Sequence, residues 1–375
     1  MVAAQTSVSL EVRKACFEDY EQIVELQSQY GLAEKSDFRE WQHLWVDNPA
    51  YRKIARNWPI GWVLEAPNRK IAGYLGNIPM SYQFQGQELL AATTRAWVVD
   101  SQYRSYSILL IDYFFAQTDV DLYIATTVNP LSLEGFQLFD PLPVPAGHWD
   151  RSSFWITNYR GFVGCWLTRK GWAFAKPASY LFSLTSLAQQ ALAFRMSGDA
   201  CSLLKLHECH EFDTRFDRFW DALRKSSPRV LLSVRSRDTL KWHFKYALAK
   251  KQAWIIASGD PSAIDAYAVF LRYDNPAYGL KRIRLVDFQT LEATPTSLIP
   301  MVRWALERCL REKIDSLECI GFRSDKQNLI ATIAPYQRRL PSWLYFYKAR
   351  DKNLAEKLKD PAVWDPSQFD GDASL

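Results

Sequence analysis

The chain has 375 residues, of which 48% are hydrophobic and 23% are charged, and these proportions exclude a largely disordered protein. At about 100–200 residues per domain, this length predicts two or three domains. The net charge is only +5, and because lysine and arginine form no long run, we expect no nucleic-acid partner.

A membrane-spanning or exported protein is also not indicated. The longest apolar run, residues 108–115, contains Asp112 and is far shorter than the roughly 18 residues of a membrane span. No apolar signal core precedes the first charges, and the six cysteines follow no pattern. We therefore expect a cytoplasmic protein with reduced thiols, whose oligomeric state the sequence does not indicate.

Residues 1–150 are predicted to form one unit that mixes helices and strands. Apolar side chains recur at helical spacing in residues 16–31, and Gly31 ends that helix. Later apolar runs are separated by turn-forming residues, which indicates strands that follow one another in the chain. The predicted order is a strand at 9–13, helices at 16–31 and 37–46, strands at 60–66, 70–84 and 88–99, a helix at 104–117, a strand at 121–127 and a helix at 129–139.

Residues 151–200 have a different character and are interpreted as a connector. Their first part is aromatic and basic, and residues 177–196 have a helical pattern. Two interpretations remain open: a helix packed between two domains, which we favour, or an amphipathic segment that makes peripheral contact with a membrane.

Residues 201–350 repeat the element order of residues 1–150. Trp62 lies 192 positions before Trp254, and Asp100 lies 187 positions before Asp287, which indicates two copies of one fold. The remaining residues, 351–375, are predicted to be a polar tail. The predicted order in the second copy is a strand at 203–211, helices at 213–225 and 236–248, strands at 252–258, 264–273 and 280–288, a helix at 296–313, a strand at 315–320, a helix near 325–335 and a strand at 342–349.

Two strand-to-helix turns in the first copy have the residues of a ligand site. Arg104 stands where a helix begins after the strand at 88–99, and a helix N-terminus with an added positive charge suits a pyrophosphate. In the second turn, Asn129 and Pro130 suit the N-cap and the first position of a helix. This capping role does not exclude a contact between Asn129 and a ligand.

Together with the element order, these turns resemble the Gcn5-related N-acetyltransferase (GNAT) superfamily. The resemblance implies an α/β (α+β mixed sheet) protein with two tandem GNAT-like folds, which uses acetyl-CoA or another acyl-CoA as co-substrate and needs no metal. In the family, an Arg or Gln begins a glycine-containing turn, and an Asn contacts the pantetheine arm. The residues implied to contact the coenzyme are Val98, Val99, Arg104, Ser105, Tyr106, Ser107, Ile108, Leu109, Asn129, Ser132 and Phe136.

The sequence departs from the family pattern at several of these positions. Ser107 and Leu109 stand where small residues, the first of them glycine, are expected, and leucine crowds a phosphate. Phe136 stands where the family often has a tyrosine that protonates the leaving thiolate, and phenylalanine has no proton to give. In the second copy, Asp287 is followed by neither arginine nor glycine before the next helix, so that copy is interpreted as degenerate for coenzyme binding.

The catalytic groups are the least defined part of the prediction. The resemblance implies that backbone N–H groups near Trp97 and Val98 would bind the thioester oxygen. His148 could act as a base in the cleft, and Thr127 could line it and hold a water chain. Two further patterns carry little weight: the set Cys201, His207, Cys209 and His210 lacks the spacing of a zinc site, and neither Cys16 nor Cys165 has the local signature of a nucleophile.

The function implied is direct transfer of an acyl group to an amine on a small molecule or a sugar, without a covalent enzyme intermediate. Two alternatives stay open. The chain could be a non-catalytic binding or scaffold protein that has lost the coenzyme, which Ser107, Leu109 and Phe136 favour. It could also be a transferase similar to the Fem-type aminoacyl transferases, which pair two such folds.

Overall fold

The structure is a computed structural model that describes residues 10–32, 37–54, 58–171 and 205–375. The helical pattern predicted over residues 177–196, and with it most of the segment considered for membrane contact, lies outside these residues. Within the described ranges, no helix combines the length and the apolar character needed to cross a membrane.

The first of two mixed sheets is formed mainly by the first half of the chain. Its one parallel pair in the described residues joins β4 (Gln87–Val99) to β5 (Leu122–Val128). The strands lie in the spatial order β1 (Glu11–Lys14), β2 (Gly61–Glu65), β3 (Ile71–Phe84), β4 (Gln87–Val99), β5 (Leu122–Val128), β15 (Leu344–Ala349) and β6 (Leu142–Pro143), and β9 (Leu232–Ser233) pairs with the far end of β3.

The second sheet has the same plan, and its parallel pair in the described residues joins β12 (Arg282–Thr290) to β13 (Ser316–Ile320). In both sheets a helix connects the two strands of the parallel pair, because parallel neighbours need a crossover connection. The strands lie in the order β14 (Tyr336–Arg339), β7 (Arg151–Ile156), β13 (Ser316–Ile320), β12 (Arg282–Thr290), β11 (Ala266–Arg272), β10 (Ala253–Ser258) and β8 (Leu206–Cys209).

The helices pack on the faces of these sheets and bury aromatic and aliphatic side chains against them. They are α1 (Tyr20–Gln29), α2 (Phe38–Val46), α3 (Pro49–Ile54), α4 (Ser107–Phe115), α5 (Pro130–Gln137), α6 (Tyr159–Arg169), α7 (Thr214–Ser226), α8 (Arg237–Ala249), α9 (Leu298–Glu312), α10 (Ser324–Ile333) and α11 (Lys352–Lys357).

Helix α3, which begins at Pro49, is not among the elements that the sequence predicts. Proline suits the first helical position, where its missing N–H is not needed. The side chain of Asn48 accepts a hydrogen bond of 2.9 Å from the N–H of Ala50, so Asn48 and Pro49 begin α3. The helix predicted over residues 104–117 is also shorter, since a 3-10 helix at Ser101–Tyr106 precedes α4.

The two halves exchange their last strands. Strand β7 follows α5 in the chain but pairs with β13 of the second sheet, with Trp155 opposite Leu317. Strand β15 follows α10 but pairs with β5 of the first sheet, with Phe346 opposite Ala125. Each sheet is therefore completed by a strand from the other half of the chain.

The segment 351–375, predicted as a polar tail, is instead folded, and its last part, residues 363–375, is packed into the interior. Trp364 is 2% exposed and Phe369 is fully buried, and the polar side chains of Ser367, Gln368 and Asp370 are also buried. The carboxylate of Asp370, the hydroxyl of Ser367 and the amide nitrogen of Gln368 have hydrogen-bond partners inside the protein. The segment therefore has the composition of an exposed tail although it lies in the protein core.

A fully buried arginine joins this segment to the rest of the fold. Arg235 contacts both carboxylate oxygens of Asp287 on β12 and lies 2.9 Å from Asp370. Asp287 also accepts hydrogen bonds of 2.9 Å from Tyr267 and 2.8 Å from Ser367. Burial works to raise the pKa of Asp287, but the opposite charge of Arg235 holds it below its usual value. The ion pair and its hydrogen bonds thus satisfy each other in the dry interior.

We expect Arg235→Met to lower the free energy of unfolding by about 3–5 kcal/mol, because it leaves two buried carboxylates without a cation. Urea denaturation followed by tryptophan fluorescence would measure this change. The matched control is Arg224→Met on α7, whose ion pair with Asp221 is largely exposed and contributes at most about 1 kcal/mol. Equal losses in the two variants would contradict the role given to Arg235.

A buried histidine lies beside the same segment. His243 is 8% exposed, its Nε2 lies 2.8 Å from the hydroxyl of Ser374, and its ring lies 4.4 Å from that of Phe369. Burial lowers the pKa of His243 to about 3. In the unfolded chain His243 becomes protonated near pH 6.5, whereas in the folded protein it stays neutral until the pH is much lower. Protonation of the unfolded state therefore lowers the free energy of unfolding as the pH falls below 6.5.

Between pH 7 and pH 5, protonation of His243 in the unfolded chain should lower the free energy of unfolding by about 2 kcal/mol. Over the same range, the free energy of unfolding of His243→Gln should therefore fall by about 2 kcal/mol less than that of the wild type. Asp370 acts in the opposite direction, because burial raises its pKa to about 6, but it is present in both proteins. Urea titrations at the two pH values test this difference. His210→Gln, in an exposed position, should keep the wild-type pH dependence.

Candidate functional site

The parallel strands β4 and β5 separate and open a cleft. They pair only between residues 91–93 and residues 122–124, and beyond Thr93 the two strands diverge. The cleft between them has a volume of about 350 Å³ and is lined by residues 32, 94–97, 127–129, 132, 136, 372, 373 and 375.

A bulge in β4 shapes the first wall of this cleft. The pairing of β4 with β3 shifts between Tyr74 and Gly76, and Ala96 has a left-handed φ of 53°. A side-chain carbon on Gly76 would lie 2.9 Å from the carbonyl oxygen of Arg95, so glycine permits the close approach there. The backbone of residues 94–97 borders the gap, because β4 and β5 pair only as far as Thr93 and Ile124.

The second wall is the turn from β5 into α5. The carboxamide oxygen of Asn129 accepts hydrogen bonds of 3.0 and 3.2 Å from the backbone N–H and the hydroxyl of Ser132, so Asn129 is the N-cap that the sequence predicts. Phe136 is buried and packs edge-on against Trp97, with ring centroids 5.8 Å apart. The indole Nε1 of Trp97 is buried and has no hydrogen-bond partner within the described residues.

The third wall comes from the buried C-terminal segment. Thr126 donates a hydrogen bond of 2.7 Å to Oδ1 of Asp372, and the hydroxyl of Thr127 lies 3.4 Å from the same oxygen. A side-chain carbon on Gly371 would lie 2.5 Å from Cγ2 of Thr126, so only glycine lets the segment come this close. Among the described lining residues, Asp372 carries the one carboxylate side chain and Arg95 the one cationic side chain.

Sequence reasoning missed both Asp372 and Arg95. The hydrogen bond from Thr126 to Asp372 spans 246 positions in the chain, and the bond of 3.2 Å from Arg95 to the main-chain oxygen of Leu375 spans 280. No local pattern could have found contacts of this range.

Several predicted site residues do meet in the cleft. Thr127, Asn129, Ser132 and Phe136 line it, while Val98 and Val99 continue β4 next to it. His148 does not line the cleft: it is exposed, and its Nδ1 lies 3.5 Å from the guanidinium of Arg339.

The predicted phosphate turn lies outside the lining of the cleft, and several of its backbone donors are already in use. The N–H of Ser101 donates to the hydroxyl of Tyr30, and the N–H groups of Gln102 and Tyr103 donate to Asp100. The side chain of Arg104 is exposed, together with those of Ser105 and Tyr106. Ser107 and Ile108 begin α4 and are half-buried, and Leu109 is 38% exposed.

The two ends of an acyl-CoA molecule would therefore meet different surroundings in the first half of the chain. The separated strands leave room for an extended arm and its acyl group, and an orphaned indole N–H borders that room. At the phosphate end, the structure offers the exposed, positively charged side chain of Arg104.

The equivalent gap in the second sheet is closed by the chain itself. Strands β12 and β13 pair as far as Leu285 and Cys319. Beyond this point the carboxamide of Gln368 donates to the carbonyls of Leu285 and Ile320, at 3.2 and 3.1 Å. The same C-terminal segment thus fills the second gap and borders the first.

The cysteine and histidine set on β8 does not form a metal site in the described residues, in which no group of three candidate ligands converges. Cys201 lies outside them. His207 and Cys209 face Arg215, whose guanidinium lies 3.1 Å from the ring Nε2 and 3.5 Å from Sγ.

Comparison with known proteins supports the fold. No family model matches the chain, and no curated protein is similar to it in sequence. Among solved structures it is similar to a GCN5-related N-acetyltransferase from Anabaena variabilis, at 12% identity and a TM-score of 0.53 over 92% of this chain and 73% of that one. It is also similar to N-myristoyltransferase from Saccharomyces cerevisiae with bound myristoyl-CoA and inhibitors, at 12% identity and a TM-score of 0.56 over 90% and 79%.

A third similar structure is a probable N-acyltransferase from Enterococcus faecalis, at 11% identity and a TM-score of 0.55 over 91% of this chain and 73% of that one. At such identities the likeness concerns the fold, and it extends over both halves. The fold class predicted from the element order is confirmed: the chain has the GNAT fold, in two copies that exchange their last strands.

Proposed function

We propose that this protein is an N-acyltransferase that moves an acyl group from acyl-CoA to an amine in the cleft between β4 and β5. The observation that carries the proposal is the separation of the two parallel strands beside a carboxylate. It puts the backbone of residues 94–97, the hydroxyl of Thr127 and the carboxylate of Asp372 around one cavity. The N-acetyltransferase and the N-myristoyltransferase of similar fold agree with this kind of chemistry.

In the proposed reaction, the amine nitrogen attacks the thioester carbonyl carbon. The carbon–sulfur bond then breaks, the sulfur leaves with the electron pair, and the amine loses a proton. Backbone N–H groups of residues 94–97 would stabilise the negative oxygen of the intermediate. A thiol has a pKa near 8.5, so the leaving sulfur needs little help from an acid, and the absence of a proton on Phe136 is compatible with transfer.

Asp372 is the proposed base for the amine proton. Thr126 and Thr127 donate to Oδ1, which fixes the carboxylate within the cleft. A fixed carboxylate next to the reacting amine can accept its proton as the new bond forms. Asp372 takes the place that the sequence analysis gave to His148, and Thr127 keeps a role as the residue that orients the base.

Arg104 is proposed to contact the phosphates of the coenzyme. Its exposed guanidinium stands at the turn between β4 and α4, beyond the end of the cleft. Bidentate pairing of arginine with a phosphate is strong enough to be effective at a surface. The cytoplasmic location inferred from the sequence stays a prediction.

A non-catalytic protein of the same fold is the second candidate. It is favoured by the turn at residues 101–103, where the N–H groups already have partners. A measurement of coenzyme binding distinguishes the acyltransferase from the non-catalytic protein, because the cleft of a non-catalytic protein would not bind acyl-CoA.

We expect acetyl-CoA to bind with micromolar affinity and Arg104→Ala to weaken this binding roughly tenfold, through loss of a charge-assisted phosphate contact. Isothermal calorimetry measures both values. Arg224→Ala, an exposed arginine on α7, serves as the control and should bind like the wild type. If neither acetyl-CoA nor longer acyl-CoA esters bind, the protein is the non-catalytic candidate.

We expect Asp372→Asn to lower kcat by about 100-fold or more while KM for acyl-CoA changes little, since removal of a general base affects the chemical step. Release of free coenzyme, followed with a thiol reagent over a panel of amines, measures this loss. Glu356→Gln, an exposed acid of the same C-terminal segment, should leave kcat unchanged. A variant Asp372→Asn with full activity would remove the base from the mechanism.

A further inference from the structure

Helix α6 lies at the surface with an aromatic side chain in the solvent. Leu167 is the one buried residue of this helix, whereas Trp166 is 53% exposed and Phe162 and Val163 are only half-buried. Phe162, Val163 and Trp166 are three or four positions apart, so they lie on one side of the helix. An indole ring is large and mostly apolar, and leaving it in water forgoes the stabilisation that burial gives. This side of α6 therefore suits a partner that removes the ring from water.

The same side of the helix ends in two cations. Arg169 and Lys170 follow Trp166 by three and four positions, so they continue its side of the helix. Both are exposed, and neither takes part in an ion pair within the described residues. The sequence has no aspartate or glutamate between Asp150 and Asp199. The positive charge of α6 is therefore not neutralised by its own segment of the chain.

The first turn of α6 is fixed to a second basic part of the surface. The carboxylate of the buried Asp315 accepts hydrogen bonds of 2.7 Å from the side chain of Asn158 and 2.8 Å from the backbone N–H of Lys281. The start of α6 therefore lies beside Lys281, which is exposed, as is Lys313 two residues before Asp315. Tyr278, in the turn before Lys281, is 40% exposed.

The acidic side chains at this end of the sheet are already bound within the protein. Arg272 binds both carboxylate oxygens of Asp274, at 2.6 and 3.0 Å. Glu312, the residue before Lys313, accepts a hydrogen bond of 2.6 Å from Arg308. In the described part of the chain, the exposed cations of α6 and the lysines at 281 and 313 have no ion-pair partner.

We propose that α6, together with the lysines at 281 and 313, docks on a membrane that contains anionic lipids. The cations face the lipid headgroups, whose negative surface attracts them, and Trp166 enters the boundary between headgroups and acyl chains, which suits an indole ring. Exposed aromatic and cationic side chains on one side of a helix favour this partner over a purely polar anion. The contact is peripheral, and it does not depend on the proposed acyl transfer.

Co-sedimentation of the full-length protein with vesicles tests the proposal without turnover. The vesicles are phosphatidylcholine alone or phosphatidylcholine with about one third phosphatidylglycerol, which supplies the negative surface. We expect the protein to bind the anionic vesicles about tenfold tighter than the neutral ones at low salt, and to lose this preference at high salt.

The double substitution Arg169→Gln with Lys170→Gln should weaken binding to the anionic vesicles by about 10- to 30-fold, because each cation near the surface contributes to the attraction. The matched control is Lys225→Gln with Arg229→Gln, which removes the same charge from exposed positions at the end of α7. This control should bind like the wild type. Circular dichroism checks that both variants are folded.

The place of Trp166 has its own measurement. The difference between the emission spectra of the wild type and Trp166→Phe isolates the fluorescence of this indole, and it should shift to the blue when anionic vesicles are added. Trp166→Ala should weaken vesicle binding several-fold through loss of apolar burial. Leu131→Ala, at a position that is 91% exposed on α5, should bind like the wild type.

Three results would overturn the inference: no binding to anionic vesicles at low salt, equal binding to neutral and anionic vesicles, or wild-type binding by the double variant at residues 169 and 170. An oligonucleotide that binds as tightly as the anionic vesicles and displaces them would assign the surface to a nucleic acid instead. Acyl transfer is measured separately, so failure of either proposal leaves the other standing.

Discussion

The guanidinium of Arg235 holds together three parts of the chain that are remote in sequence. It joins the segment between β9 and α8 to the central strand β12 and to the C-terminal segment. Strand β9 in turn pairs with β3 of the first sheet, and Tyr82 on β3 donates a hydrogen bond to the carbonyl of Asp370. A buried cation needs its partners in fixed positions, so one residue sets the relative placement of both sheets and of the segment between them.

That placement explains why two similar sheets have different roles. Residues 367–375 pass through both halves of the protein, so the same few residues determine whether the gap in each sheet is open or filled. Gln368 satisfies the open backbone carbonyls of the second gap, whereas Gly371 and Asp372 pass along the side of the first and leave it accessible. The two sheets have equivalent openings, and the path of the C-terminal segment distinguishes them.

The parts of the structure that depend on neighbouring residues could be predicted from the sequence. The element order, the cap at Asn129 and the cleft residues Thr127, Ser132 and Phe136 follow from periodicity, from turn chemistry and from a resemblance tied to short motifs. The exchange of β7 and β15 could not, because strand pairing between distant segments has no local signature. Asp372 was missed for the same reason: its chemistry comes from threonines 245 and 246 positions away, in a segment whose composition is that of an exposed tail.

The exchange of strands also has a consequence for the order in which the chain can fold. The edge of β5 is covered by β15, so during synthesis the first sheet keeps an open edge until residue 349 has been made. An uncovered strand edge is a template for unwanted pairing, and closing it requires contacts between residues more than 200 positions apart, which are slow to form. We therefore expect the nascent protein to depend on protection from aggregation for most of its synthesis, and its two halves to reach their final form together.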